Sequence, residues 1–280
     1  MTHFCFGGLT LILRNRILVL FLILNLFMML PTGSWAVPLS LEQNLRKVAG
    51  HPVDPAGGFT FVVLGDSRGG ADVFSRLLAQ AGDHQPLFII HSGDFINKGT
   101  APEFEDYAQQ IAPCPIPILH VPGNHDIKRG EADYFHYVGD PNWFLDLGDI
   151  RLIGLDNSHG RFSPEALTLA RKTLTPEKVC LVVFHYPPAK GRWRVHAMEE
   201  DDSEDTKEVL RLIKKAKAPF VFLGHIHLHD EMEINGTQYI ISAGGGAKLH
   251  KIYNFGRAEY GFLLVQVRPQ GITRQWIPLK

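Results

Sequence analysis

The sequence predicts an α/β fold, and three observations carry that prediction. From Phe59 onward, short apolar runs alternate with helical patterns, as in strands joined by crossover helices. Five of those runs end in Asp, Asn or His, four of them just behind a glycine. After residue 228 only strand patterns remain, which adds an antiparallel portion to the alternating one.

Residues 1–36 read as a signal peptide. Arg14 and Arg16 precede an apolar run over 17–30, followed by helix-breaking Pro31 and Gly33 and then by Ser34 and Ala36 flanking Trp35. That run is shorter than the ~20 residues a spanning helix needs. Residues 4–13 are also largely apolar, so an uncleaved membrane anchor is the competing reading. Residues 37–58, polar and rich in Pro and Gly, read as a lead-in arm with a short helix around 41–48, and one domain fills 59–280. It opens with a strand at 59–64, a helix near 71–81, a strand at 87–91, a helix near 102–111 and a strand at 116–121. The second helix starts with a capping box, Thr100 with Glu103, and tolerates Pro102 in its first turn. Gly148-Asp149 fits a hairpin between WFLDL and IRLIGL, and Ser163-Pro164 starts the next helix. A strand at 179–184, a polar segment at 186–202, a helix near 204–216 and a strand at 219–223 follow. The tail reads as EMEI, an Asn235-Gly236 turn, TQYIISA, GFLLVQV and ITRQWI.

Composition excludes disorder: 45% of the residues are hydrophobic and 20% charged. Without residues 1–36 there remain 26 basic against 29 acidic residues, so nothing indicates a nucleic-acid surface. Cys114 and Cys180 each precede an apolar strand. They form either a bridge or two buried thiols, and neither has a cysteine partner at metal-binding spacing.

The strand ends carry the chemistry. They hold Asp66 in GDSRGG, Asp94 in IIHSGD, Asn124 and His125 in HVPGNHD, His185 in LVVFHYPP, and His225 with His227 in VFLGHIH. Ligands collect beyond the carboxyl ends of parallel strands. Carboxylates, an amide and imidazoles make an oxygen and nitrogen set suited to zinc, iron or manganese rather than to calcium. Any one of these residues alone reads as a turn or a satisfied side chain; together, at one end of five runs, they read as a site.

The order GD, GD, GNHD, His before Pro-Pro and GHxH resembles the calcineurin-like metallophosphoesterases over about residues 59–250. The resemblance implies a four-layer α/β/β/α sandwich of two mixed sheets flanked by helices, with two divalent or trivalent ions (Mn, Zn or Fe) at the strand ends. Asp94 would bridge them, Asn124, His185 and His225 would complete one site, Asp66 and His227 would serve the other, and His125 would contact the phosphate and the departing oxygen. The implied activity is hydrolysis of a small phosphate mono- or diester by in-line attack of a hydroxide held between the metals.

Two departures bear on that reading. Where the family usually has His, this chain has Arg68, which stays protonated and cannot ligate a metal. One metal site then either binds more weakly or is filled by another side chain, while the guanidinium is available to grip a phosphate oxygen. Asn97 stands where the protein phosphatases of the family have an Asp that supports the catalytic His, and Lys98 where they have a phosphate-gripping Arg; a solvated loop lysine is the alternative for Lys98. The segment after His185, with Arg192, Trp193, Arg194 and His196, overhangs the site as a specificity loop or is a solvated loop. Lys248 or His250 in SAGGGAKLH either approaches the site or sits in a tight turn. HIHLHD superficially matches the HxHxDH motif of metallo-β-lactamase-type hydrolases, but the order of His and Asp and the late position argue against it. A catalytically weak metal- or phosphate-binding protein of the same fold is the remaining alternative.

Overall fold

The computed structural model describes Met1 and residues 39–52, 58–198 and 203–280. The expected leader at 1–36 and its cleavage point therefore lie outside the described residues, Met1 excepted. Among the described residues no helix is long and apolar enough to cross a membrane.

Helix α1 (Leu41–Ala49) starts at Ser40, whose hydroxyl accepts the Gln43 amide, and buries Leu41, Asn44 and Val48. The Asn44 amide donates to the Ile118 carbonyl at 3.0 Å, so this helix is packed into the body of the fold. Strands β1 (Phe59–Leu64), β2 (Phe88–His91) and β3 (Ile118–His120) pair in parallel and are joined by α2 (Ala71–Gly82) and α3 (Ala101–Ile111). The Thr100–Glu103 capping box is formed. Beyond the strand ends single ladder-like bonds continue, Leu87 donating to Thr60 and Val121 to His91, which accounts for the longer strands read from sequence.

Helix α4 (Ala132–Tyr137) was not expected, because six residues are too few to display a 3.6-residue period. The hairpin β4 (Trp143–Leu147) and β5 (Ile150–Gly154) turns at Gly148, at φ 60°. Then come α5 (Pro164–Thr173), β6 (Val179–Val183), a 3-10 turn (Gly191–His196), α6 (Glu204–Lys215) and β7 (Phe220–Leu223). β8 (His229–Ile234) and β9 (Thr237–Ser242) meet at Asn235-Gly236, both at positive φ (54° and 84°), the geometry of the type I′ turn that Asn-Gly favours. β10 (Gly261–Arg268) and β11 (Gly271–Pro278) complete the chain.

The strands form two mixed sheets, β11-β10-β1-β2-β3 and β4-β5-β6-β7-β9-β8. Phe61 of β1 meets Phe222 of β7 edge to face at 5.9 Å, and the Ser242 hydroxyl of β9 donates to the Val63 carbonyl of β1, so the sheets pack face to face. One apolar cluster joins this interface to α1, α2 and α3; a second lies between the outer face of β5–β7 and helices α5 and α6. The fold is the four-layer α/β/β/α sandwich. Cys114 precedes β3 in one sheet and Cys180 lies on β6 in the other; both are free thiols, so the bridge considered from sequence is absent.

Candidate metal centre and active site

The strands that carry the motifs end together. Leaving β1, β2 and β7, the backbone passes through a glycine and then a left-handed residue: Asp66 at φ 59°, Asp94 at 59° and His225 at 71°. That conformation costs a non-glycine residue about 1–2 kcal/mol and persists only where neighbours enforce it. Here Asp66 N–H donates to the Gly93 carbonyl, Arg68 N–H to the Asp94 carbonyl, and His225 N–H to the Asp66 carboxylate at 3.0 Å. Thus the two sheets are tied by the side chains that crown them.

Glycine at position 123 lets the third strand end close in. A Cβ there would lie 2.2 Å from Asp94 Oδ1 and 2.8 Å from His185 Cε1. Gly123→Ala is therefore expected to push both side chains aside and weaken metal binding by about 10–100-fold, the usual penalty for disturbing the shell around ligands. Equilibrium metal titration of the variant against the wild type checks this.

Asp66, Asp94 and His227 each offer a donor atom within 4.8 Å of the others, and all three residues are buried. Backbone carbonyls fix the histidine tautomers. His227 Nδ1 lies 2.8 Å from the Lys248 carbonyl, and His185 Nδ1 2.8 Å from the Ser92 carbonyl. A carbonyl only accepts, so Nδ1 carries a proton on both rings, and in the neutral ring Nε2 presents a lone pair. Those Nε2 atoms lie 3.4 Å from Asp66 Oδ1 and 3.6 Å from Asp94 Oδ1 respectively. His225 Nδ1 is 3.2 Å from His185 Nε2. Asn124 Oδ1 is buried with no hydrogen-bond partner, an omission that costs about 1–3 kcal/mol unless something else binds the oxygen. Burial, then the surrounding His185, His196, His227 and His250, hold His225 well below the ordinary imidazole range, which keeps it in the neutral form a metal requires. For His227 burial pulls downward, but the bond to Asp66, its charge and the Lys248 carbonyl together raise it. This donor set fits metal cations.

His125 sits beside it. Its N–H donates to Asp94 Oδ1 at 2.9 Å, and its Nδ1 to the main-chain carbonyl of Asn97 at 2.8 Å. The contact to residue 97 is thus made through its main-chain oxygen, which orients the His125 ring. Arg68 Nε donates to Asp94 Oδ2 at 3.2 Å and its side chain is 23% exposed, so it reaches the site. Lys98 is exposed, its N–H bonded to Glu103 Oε2. The Arg192 guanidinium is engaged elsewhere than on a strand-end ligand: it is bidentate on Asp230 (2.7 and 2.9 Å) and also donates to the Glu231 carbonyl. Trp193 is fully buried with Nε1 on Asp230, whereas Arg194 is exposed. His250 does approach, its ring stacked on His227 at 4.3 Å.

Sequence reasoning assigned nothing to Asp126, Asn157 or Asp230. Asp126 is fully buried and accepts the N–H groups of Asp94, Phe95, Ile96 and Gly123 at 2.7–3.1 Å, so it splints the β2 and β3 ends. It stands inside GNHD, and the motif itself was its signal. Asn157 Oδ1 accepts the N–H groups of His185 and Tyr186, with no sequence pattern to announce it. Asp126→Ala would orphan four buried donors. At ~1–3 kcal/mol each, partly relieved by water, a loss of about 3–5 kcal/mol is expected. Thermal unfolding should show it as a drop of roughly 6–20 °C.

A model of the calcineurin-like phosphoesterases matches residues 59–229. The chain belongs to the calcineurin-like phosphoesterase family. Among curated relatives, the 3',5'-cyclic adenosine monophosphate phosphodiesterase CpdA of Haemophilus influenzae is 28% identical over 163 residues, covering 54% of this chain and 58% of that protein. The probable glycerophosphodiester phosphodiesterase GpdQ of Arcobacter nitrofigilis is 32% identical over 119 residues, 38% of this chain and 44% of that protein. The chain thus spans about half the length of these relatives. Among solved structures, GAP50, the anchor in the inner membrane complex of Plasmodium, matches with a TM-score of 0.59 at 15% identity, over 80% of this chain and 85% of that one. The purple acid phosphatase PPD1 of yellow lupin seeds gives 0.58 at 15% identity, over 82% and 53%. At such identities the structures establish the sandwich. The family assignment and the Asp66, Asp94 and His227 cluster support a metal-dependent phosphoesterase in general.

Proposed function

We propose that the protein is an exported, metal-dependent hydrolase of small phosphate esters whose catalytic centre is the strand-end cluster. The observation that carries this reading is the convergence of Asp66, Asp94 and His227 within 4.8 Å beside the unpartnered Asn124 Oδ1. Asp94 would be shared by two cations. Asn124, His185 and His225 would complete one set and Asp66 with His227 the other, and Mn, Zn or Fe suits these donors. Such ions supply Lewis acidity toward a phosphoryl oxygen and a lowered water pKa.

The remaining work falls to the chain. His125, its Nδ1 committed to the Asn97 carbonyl, keeps Nε2 to carry a proton to the departing oxygen. Arg68, always protonated, offsets the charge of Asp94 and presents N–H groups to a non-bridging phosphoryl oxygen. The leader pattern at 1–36 supports export, with cleavage after Ala36 freeing the domain from the membrane. Both curated relatives named above bear phosphodiesterase names, which makes diesters the first substrates to assay and monoesters the second.

The test is a metal-depleted full chain, reloaded with manganese and assayed on a panel of mono- and diesters. Hydrolysis that appears only on reloading is the expected result; hydrolysis indifferent to depletion, or none with any ester, contradicts it. One observation favours a second reading. The Arg68 bond occupies Asp94 Oδ2, an oxygen a shared carboxylate would offer to a cation, as in a protein that binds metal or phosphate with little turnover. Calorimetric phosphate binding without metal-dependent hydrolysis would select that reading.

A further inference from the structure

The segment after His185 is held by a latch that the proposed chemistry does not use. Asp230, at 7% exposure on β8, accepts both guanidinium bonds of Arg192 and the Trp193 indole N–H at 2.7 Å. Trp193 is wholly buried, so the first half of the 3-10 turn is pinned by one carboxylate and one anchored ring. A bidentate pair joined to a desolvated indole is a stiff arrangement. Its consequence is felt at the far end of the turn, where His196 is set against the site.

The His196 ring lies 5.5 Å from His225, 5.3 Å from His250 and 5.9 Å from Tyr253. His250 in turn stacks on His227 and stands 5.8 Å from Tyr253, whose ring stacks on Phe255 at 5.1 Å. Exposure rises along this series: His227 is buried, His250 and Tyr253 are partly covered, and His196 is open to solvent. Ring faces therefore lead from the imidazoles next to the carboxylates out to the surface. Planar rings prefer offset or edge-on contact with one another, and a ligand ring laid against the exposed His196 extends the series by one such contact.

We propose that His196, His250 and Tyr253 form a wall that contacts an aromatic or heteroaromatic group on the organic side of the ester, and that Asp230 is the positioning residue that sets His196 in that wall. The substrate class this names is a ring-bearing phosphoester. The proposal rests on the reading above for where the phosphoryl end binds, and it assigns Arg192 to the latch.

Two non-hydrolysable probes test it on the manganese-loaded full chain, phenylphosphonate and methylphosphonate, which share a head group and differ in the ring. Calorimetry on the wild type should give phenylphosphonate the tighter binding by about three- to tenfold. His196→Ala, a change at an exposed side chain, should erase that preference while leaving methylphosphonate binding and thermal stability as they were. Asp230→Ala should erase it as well, and Arg192→Ala, which keeps the Asp230–Trp193 bond, should reduce it. Equal affinity of the wild type for both probes, or an equal loss for both in His196→Ala, overturns the wall. A preference untouched in both Asp230→Ala and Arg192→Ala overturns the latch. A wild type that prefers the ring yet hydrolyses no ester would sink the proposed reaction and leave the wall standing; hydrolysis without ring preference would do the reverse.

Discussion

Asp94→Ala is expected to lower metal-dependent hydrolysis by about 10³-fold or more, because in the proposed reaction several kcal/mol of transition-state stabilisation would pass through this one carboxylate. Oδ1 accepts the His125 N–H at 2.9 Å and lies 3.6 Å from His185 Nε2, while Oδ2 accepts Arg68 Nε at 3.2 Å. Both proposed ligand sets share this residue, and removing it also frees His125 from its backbone tether. The loss should appear in kcat/KM together with bound metal, whereas the unfolding midpoint should shift far less than in Asp126→Ala. Exposed Asp83 serves as control: its replacement should change neither quantity. Retained activity in Asp94→Ala would remove the carboxylate from the chemistry.

His125→Ala should separate proton delivery from metal binding. Positioned acid catalysis contributes roughly 10²–10⁴-fold, but only when the departing oxygen needs a proton. With an alkyl ester the variant should lose kcat by that factor; with a p-nitrophenyl ester, whose phenolate leaves unaided, it should lose about tenfold or less. Metal stoichiometry should be unchanged, since the ring is not among the proposed ligands. Equal losses on both esters would assign His125 to binding the phosphoryl oxygens rather than to protonation. His125→Asn, which keeps a polar side chain without an acid at neutral pH, should follow the alanine variant on the alkyl ester.

Strand ends were legible because their signals are local. Apolar runs locate β1, β2, β3, β6 and β7, a glycine marks the turn out of most of them, and the residue beyond is chemically conspicuous. The Thr100–Glu103 box and the Asn235-Gly236 turn were equally readable, each needing only neighbouring residues. What escaped depends on packing between distant segments. The partner of His125 is a main-chain oxygen at Asn97, and no side-chain pattern encodes a carbonyl. The sequence leaves Arg192 between a specificity loop and a solvated loop because its partner, Asp230, lies 38 positions away on another element. Asn157 supports His185 across 28 positions and sits in an unremarkable DNS sequence. Short α4 and the 3-10 turn lack the length that makes periodicity visible.

The central claim is that residues from two sheets make one centre for a pair of cations. Its most direct measurement is the metal stoichiometry of the depleted full chain, titrated with manganese to saturation in the wild type and in Asp94→Ala. Two ions per wild-type chain, with tight binding lost in the variant, is the expected result. A wild type that takes up fewer than two ions, or a variant that binds as the wild type does, would contradict it.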